Sequence, residues 1–207
     1  DVTKMQAWKT GVVTRLNNGV KMLFTKLGIQ TITGTAFFQG PKRLGILTEK
    51  GTGALEFEDC VIATGSTPRA LPGLEFNGST IMSSREALDL PAVPARMGVV
   101  GGGYIGVELG TAYAKLGSKV TVIEKGSKIL PAVESAASDL VLTRMKELGI
   151  EFLMNASQEN VVQENGKVKL TINSPEKGRQ EIEFDKVLVA IGHKPNVELF
   201  AGQLELG

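Results

Sequence analysis

The chain has 207 residues, of which 42% are hydrophobic, which is enough for one domain or two small domains with a real core. Lys and Arg total 23 against 22 Asp and Glu, so no field of one sign is available to attract nucleic acid or an anionic membrane. No apolar run approaches the roughly 20 residues of a membrane-spanning helix, and no basic segment leads into an apolar one at the start. We therefore expect neither a nucleic-acid partner nor a membrane or secretion signal.

The cysteine content limits both redox chemistry and metal binding. Cys60 is the single cysteine, so the chain forms no internal disulfide and offers no cysteine-rich metal site. A reducing compartment is the simplest inference, with the cytoplasm as the first choice and the mitochondrial matrix as the alternative. Because Cys60 precedes the apolar run 61–65, we expect its thiol to be buried and inert.

The first part of the chain predicts one helix followed by short strands. Apolar residues recur at steps of three and four from Met5 to Leu27, which is the spacing of one helix face, and Gly28 is expected to end the helix. An antiparallel meander with a turn at 49–53 is expected to follow. The predicted strands are 29–34, the segments near Phe37–Phe38, 44–48 and 54–57, and a buried strand over 61–65.

The second part alternates strands with helices after a connector. Prolines cluster in residues 68–94, which hold one short helical stretch, 84–90. Alternating strands and helices require parallel pairing, so we predict an α/β fold with a doubly wound parallel sheet, an antiparallel flap beginning near residue 157, and ligand at the carboxyl ends of the strands. The predicted elements are strand 97–101, helix 104–116, strand 119–124, helix 135–148, strand 150–154, two hairpin strands around Asn165-Gly166, and strand 186–191.

A glycine-rich turn joins strand 97–101 to the following helix. Gly101, Gly103 and Gly106 have the spacing Gly-x-Gly-x-x-Gly. The first glycine permits a tight turn, the second lets the backbone approach two phosphates, and the third allows the helix to pack closely on the strand. Because the free amides of a helix start face an anion, this turn predicts a pyrophosphate site.

An acid follows the next strand. Glu124 can accept hydrogen bonds from the ribose hydroxyls of adenosine and would repel the additional phosphate of NADP. The neighbouring Lys125 weakens this discrimination only slightly, because one Lys is a poor substitute for an Arg fork on phosphate. The sequence therefore favours NAD(H), and the alternative is a glycine-rich turn with no ligand.

Two further segments give the chain a resemblance to a known family. Residues 63–68 read Ala-Thr-Gly-Ser-x-Pro, and residues 190–196 read Ala-Ile-Gly-His-Lys-Pro-Asn. With the glycine-rich turn and Glu124, they make the chain resemble the flavoprotein disulfide reductases that contain two dinucleotide-binding folds. The opening helix is most similar to the dihydrolipoyl dehydrogenase branch, and the resemblance covers nearly the whole chain.

The resemblance implies a Rossmann-like flavoprotein fold with two nucleotide-binding domains. Residues 1–67 would form the last part of an FAD-binding domain and residues 95–192 an NAD-binding domain. Residues 68–94 would connect the two domains, and residues 193–207 would begin the return of the chain to the first domain. The resemblance further implies that electrons pass from dihydrolipoamide through a redox disulfide and FAD to NAD+, in a homodimer that serves 2-oxo acid dehydrogenase complexes. The cysteine pair, the catalytic base and the first FAD fingerprint would lie outside this chain. We therefore expect a central portion with no catalytic residue, inert by itself.

The resemblance also assigns two sets of cofactor-binding residues. Tyr104 resembles the ring that covers the flavin, or is an ordinary aromatic residue, and Glu108 resembles a carboxylate near the nicotinamide, or is an acid stabilised by the helix start. The residues expected to contact NAD are Gly101, Gly102, Gly103, Tyr104, Ile105, Gly106, Val107, Glu108, Glu124 and Gly192. Those expected to contact FAD, or else to be ordinary turn residues, are Ala36, Thr64, Gly65 and Ser66. No metal ligands are expected.

Two alternative functions stay open at this point. One is a sister reductase of the glutathione or mercuric type, against which Glu124 stands because users of NADPH place basic residues after that strand. The other is a nucleotide-binding module that senses NADH without chemistry, since the chain has no pair of cysteines.

Overall fold

A computed structural model describes residues 1–198 of the chain. These residues form two compact units: one comprises Asp1–Gln6 with Pro68–His193, and the other comprises Ala7–Thr67 with the described residues from Lys194 onward. The predicted return segment 193–207 is therefore described only in its first part. β4 (Ser66–Pro68) and β13 (His193–Pro195) pair as a two-stranded sheet.

The chain opens with a long helix, α1 (Val2–Lys26), which confirms the helix predicted from the apolar spacing. Gly28 adopts a left-handed conformation with φ of 68°. Its N–H donates to the Thr25 carbonyl at 3.2 Å, and the Ile29 N–H donates to the Phe24 carbonyl at 2.9 Å. This pair of bonds is the Schellman arrangement, in which glycine avoids the steric cost of the left-handed turn. The prediction that Gly28 ends the helix is confirmed.

Three antiparallel strands follow and confirm the predicted meander. They are β1 (Thr35–Gly40), β2 (Arg43–Thr48) and β3 (Gly51–Glu56), paired in the order β1-β2-β3. The turn between the last two strands is shorter than predicted, because β3 begins at Gly51.

Two other predicted strands, 29–34 and 61–65, do not form within the described residues. An isolated strand leaves its N–H and C=O groups without partners, and no described strand pairs with either segment. Val61 is 92% exposed and Cys60 is exposed as well, so the prediction of a buried thiol was wrong. An apolar run indicates a tendency to be buried, but a strand forms only where a neighbouring strand is present to pair with it.

The other unit is built on a five-stranded parallel sheet with the order β5-β12-β6-β7-β8. Its strands are β5 (Ile81–Met82), β6 (Arg96–Val100), β7 (Lys119–Ile123), β8 (Glu151–Leu153) and β12 (Lys186–Val189). Its helices are α2 (Ser84–Leu88), α3 (Tyr104–Lys115) and α4 (Ser135–Glu147). The strand β5, which lies inside the predicted connector, was not expected. The α/β class with parallel strands is confirmed.

An antiparallel sheet of three strands forms the flap, where two strands were predicted. The strands are β9 (Ser157–Glu164), β10 (Lys167–Ser174) and β11 (Gly178–Phe184). Asn165 and Gly166 connect the first two with φ values of 52° and 73°, as a tight hairpin turn with two left-handed residues requires.

Successive residues of the parallel strands point to opposite faces and fill two cores. Val99 and Val122 pack in the core on the side of the three helices, whereas Val100 and Ile123 pack against the antiparallel flap. Helices therefore cover one face of the sheet and the flap covers the other, so the sheet is not doubly wound as predicted, which would place helices on both faces. Because both faces are buried, the carboxyl edge of the sheet is where the unit remains open.

Candidate nucleotide site

A cleft of about 850 Å³ opens at the carboxyl ends of β6, β7 and β12, which is where a ligand was expected. All of its lining residues belong to the unit that contains the parallel sheet. Six of the residues expected to contact NAD line it: Gly101, Gly103, Tyr104, Ile105, Glu124 and Gly192. The buried Gly102, Gly106 and Val107, and the exposed Glu108, are not among the residues that line the cleft.

Two glycines of the turn are required by the fold itself. Gly101 has φ of 106°, and a Cβ there would lie 2.5 Å from the Ala190 carbonyl oxygen. A Cβ on Gly106 would overlap the Gly101 carbonyl oxygen and come within 3.1 Å of the Val99 side chain. Both positions therefore exclude larger residues for reasons of backbone conformation and close packing.

Neither backbone conformation nor close packing requires a glycine at position 103 within the described structure. Its φ of −73° and ψ of −179° are open to any residue, and a Cβ would find no atom within 4 Å. Gly103 lines the cleft. Absence of a side chain here leaves the backbone accessible from the cleft, as close approach of a pyrophosphate requires.

The start of α3 presents amides to this space. Gly103 is the N-cap residue, and no side chain accepts a hydrogen bond from the first turn. The N–H groups at the start of a helix have no partner within the helix and carry the positive end of its dipole. The cleft therefore has donors in place for an anion.

Glu124 follows β7 and is half-buried at the edge of the cleft. Its Oε2 accepts the Gly102 N–H at 2.5 Å, and its Oε1 accepts the Gly126 N–H at 2.6 Å. These two bonds fix the carboxylate, and each oxygen keeps a further lone pair for a donor such as a ribose hydroxyl. The neighbouring Lys125 lines the cleft with an exposed side chain.

The remaining residues of the predicted NAD set surround this centre. Tyr104 is the first residue of α3 and is 65% exposed at the cleft. Glu108 lies one turn further along the same helix. Gly192 follows β12 with φ of 105°, and its carbonyl accepts the Arg69 N–H at 3.0 Å.

Sequence reasoning missed residues that reach the cleft from two other segments. Leu71 and Pro72 come from the predicted connector, and Ser157, Gln158 and Glu159 come from the first residues of β9. Gln158 Nε2 donates to the Pro72 carbonyl at 3.3 Å, which joins the two segments. The only signal for them was the change from alternating to antiparallel pattern near residue 157, which marks where the chain leaves the parallel sheet.

The residues predicted to contact FAD lie in the other unit. Thr64, Gly65 and Ser66 are exposed and follow one another into β4. Asn196 joins the first two, because its N–H donates to the Gly65 carbonyl at 3.0 Å while the Thr64 hydroxyl donates to its carbonyl at 2.6 Å. Ala36 is an exposed residue of β1, and no hydrogen bond among the described residues joins it to these three.

Residues 1–198 contain neither a metal-binding cluster nor a membrane-spanning helix. In that range no group of three or more His, Cys, Asp or Glu side chains is placed to hold a metal ion. None of the helices in the same range is long and apolar enough to cross a membrane.

Comparison with known proteins assigns this architecture to a family. Residues 2–207 match the family model described as pyridine nucleotide-disulphide oxidoreductase. The chain is 40% identical over 204 residues to dihydrolipoyl dehydrogenase 2 of Haloarcula marismortui, and this match covers 97% of the chain and 43% of the relative. It is 38% identical over 205 residues to a Staphylococcus aureus dihydrolipoyl dehydrogenase, covering 99% of the chain and 43% of the relative.

Two solved structures are similar to this chain over most of its length. LpdA from Mycobacterium tuberculosis superposes with a TM-score of 0.83 at 26% identity, covering 94% of this chain and 43% of that one. The HOCl-induced flavoprotein disulfide reductase RclA from Escherichia coli superposes with a TM-score of 0.77 at 26% identity, with coverage of 94% and 43%. The chain thus spans well under half the length of the proteins it matches. It belongs to the pyridine nucleotide-disulphide oxidoreductase family.

Proposed function

We propose that the cleft of the parallel-sheet unit binds NAD(H). The observation that carries the proposal is Gly103, whose missing side chain leaves open space against the uncapped start of α3. The amides there would hold the pyrophosphate, and the fixed carboxylate of Glu124 would accept hydrogen bonds from the adenosine ribose.

The other predicted residues have supporting parts in this proposal. Gly101 and Gly106 give the turn its shape, and Gly102 and Val107 lie beneath the cleft surface. Ile105 contributes an apolar wall beside Tyr104. On the opposite side, the backbone of Gly192 would lie near the nicotinamide, toward which Glu108 and Tyr104 would face.

We propose that the complete protein is a dihydrolipoyl dehydrogenase, in keeping with the printed names of its curated relatives. Bound FAD and NAD+ would supply the electron and hydride transfer that oxidises dihydrolipoamide by way of a redox disulfide. Cys60 is the only cysteine of this chain, so the cysteine pair would include residues outside this sequence, and we propose the same for the catalytic base because the resemblance implies it. The role of this chain is to bind and orient the nucleotide, and by itself it has no turnover.

The domain assignment is part of the same proposal. Residues 1–67 would end an FAD-binding domain, with Ala36, Thr64, Gly65 and Ser66 near the flavin nucleotide. Residues 95–192 would form the NAD-binding domain, 68–94 the connector and 193–207 the return. We propose a cytoplasmic location and not the mitochondrial matrix, because the relatives named above come from archaea and bacteria. We also propose a homodimer that serves a 2-oxo acid dehydrogenase complex, in keeping with the family resemblance.

A second candidate is a flavoprotein disulfide reductase with another substrate. The similarity to RclA favours it, because that protein is named for HOCl induction and not for lipoamide. The two candidates share the NAD(H) cleft and differ in the thiol substrate. Assay of the complete protein with dihydrolipoamide and with glutathione would separate them.

Calorimetry of the chain with NADH and NADPH tests the cleft. We expect NADH to bind at least about tenfold more tightly, because the Glu124 carboxylate opposes the additional phosphate. Glu124→Gln should narrow that ratio, whereas Glu164→Gln, at an exposed position at the end of β9, should leave it unchanged. Equal or tighter binding of NADPH by the unaltered chain would refute the role of Glu124, and no binding of either nucleotide would refute the site.

A further inference from the structure

We infer that Leu130 is a positioning residue of this site. Its backbone N–H fixes the orientation of the peptide bond between Gly102 and Gly103, so that the Gly103 N–H points into the cleft. The inference rests on the proposed nucleotide site. The Leu130 N–H donates to the Gly102 carbonyl at 2.8 Å. Leu130 does not line the cleft, so it acts on a bound nucleotide only through this glycine.

The backbone of Leu130 is strained in order to make this bond. Its φ is 48°, in the left-handed region, where the Cβ of any residue other than glycine is crowded. Three contacts hold it there. The N–H is bound to Gly102, the carbonyl accepts the Val133 N–H at 2.8 Å, and the side chain packs against the core on the helix side of the sheet. Strain that the surroundings maintain in this way is found most often near functional sites.

Planarity of the peptide bond transmits the effect. In a trans peptide the C=O of one residue and the N–H of the next point in opposite directions within one plane. Leu130 fixes the Gly102 carbonyl, and this fixes the direction of the Gly103 N–H. The preceding peptide is fixed as well, because the Gly102 N–H donates to Glu124 Oε2.

The turn needs such a restraint because its residues have little stiffness of their own. Gly101, Gly102 and Gly103 are consecutive, and glycine has the widest choice of backbone conformations. Without the bond from Leu130, the peptide between Gly102 and Gly103 would lose the one described hydrogen bond to its carbonyl and would be less restrained. The amide would then have to be ordered each time a nucleotide binds, which lowers affinity.

The test replaces the Leu130 amide by an ester, using the α-hydroxy acid of leucine, which removes the N–H and keeps the side chain. The affinities of NADH, ADP-ribose and adenosine are measured by calorimetry. We expect NADH and ADP-ribose to bind about fivefold to tenfold more weakly, the range set by one net hydrogen bond, while adenosine, which has no pyrophosphate, binds as before.

Leu148 offers a matched control, because the same α-hydroxy acid of leucine replaces it. It is the C-cap residue of α4, and its N–H donates to the Met145 carbonyl at 3.2 Å. That bond involves neither the glycine-rich turn nor Glu124, and Leu148 does not line the cleft. The ester at Leu148 should therefore leave all three affinities within about twofold of the unaltered chain.

The outcomes are distinct. If the unaltered chain does not bind NADH, the proposed function fails and the inference fails with it. If the unaltered chain binds NADH, three results overturn only the inference: the Leu130 ester binds NADH equally well, it loses affinity for adenosine and NADH to the same extent, or it behaves as the Leu148 ester does. Hydrogen exchange on the unaltered chain gives a second measurement: Leu130 N–H should be protected without ligand, and Gly103 N–H only with NADH. An unprotected Leu130 amide would overturn the inference without any variant.

Discussion

Substitution of Gly103 by Ala should separate nucleotide binding from folding. The added Cβ meets no atom within 4 Å, and the backbone conformation suits alanine. Alanine gains about 0.4–1 kcal/mol over glycine by restricting the unfolded chain, and loses a similar amount because it is a poorer N-cap residue. The two effects offset one another, so the free energy of unfolding should change by less than about 1 kcal/mol.

The effect on binding should be much larger. The new methyl group would project into the space where a phosphate must approach the amides at the start of α3. A hydrogen bond to a charged group contributes about 1.5–3 kcal/mol, so loss of one such bond raises the dissociation constant of NADH by about 10-fold to 150-fold.

Gly106→Ala and Gly101→Ala serve as comparisons, because we expect these two substitutions to lower stability where Gly103→Ala does not. Their Cβ atoms would collide with the Gly101 carbonyl and the Ala190 carbonyl, so each should lower the free energy of unfolding by about 1–3 kcal/mol. Urea unfolding and calorimetry with NADH measure the two quantities. The reasoning is refuted if Gly103→Ala destabilises the chain as much as Gly106→Ala does, or if it binds NADH with unchanged affinity.

Three other results are expected. The hydrogen bond from the Ser83 hydroxyl lowers the pKa of Glu86, so the ionised carboxylate stabilises the fold at neutral pH. This contribution is lost as the pH falls from the ordinary pKa of 4.5 through the lowered pKa, so Glu86→Gln should lose less stability than the unaltered chain over that range. Urea titrations at a series of acidic pH values measure this, and parallel losses of stability in the two chains would contradict it. Tyr113→Phe removes the hydroxyl that donates to the buried Ala87 carbonyl and should cost about 1–3 kcal/mol by the same method, so an unchanged midpoint would show that the carbonyl finds another donor. The purified chain should show no visible flavin absorption, because we propose that its FAD site is partial, and a yellow preparation would disprove that.

Much of the unit that contains the parallel sheet could be predicted because its signals are local. Residues 96–123 contain a strand, a glycine-rich turn, a helix and a second strand, each with its own spacing or turn residues, and all four formed as predicted. Gly103 and Glu124 fell at the cleft because parallel strands end together at one edge of a sheet.

The errors arose where structure depends on distant partners. Segments 29–34 and 61–65 have the apolar composition of strands, but no described strand lies beside them. Conversely, the two residues Ile81 and Met82 carry too short a pattern to be noticed, yet both are fully buried because β12 pairs with them. The bond from Leu130 to Gly102 gave no signal, since the left-handed conformation of a leucine is a property of the folded loop and not of its sequence.

The residues that line the cleft come from one stretch of chain, between Leu71 and Gly192. A ligand that binds only the folded form adds its binding free energy to the stability of the part it contacts. Saturation with NADH should therefore delay thermal denaturation of the parallel sheet and its flap, while the part of α1 from Ala7 onward and the meander β1-β2-β3 receive none of that protection directly. Probes placed separately on the two units, such as the fluorescence of Trp8 in α1 and hydrogen exchange in β6, would report different melting temperatures once the coenzyme is present.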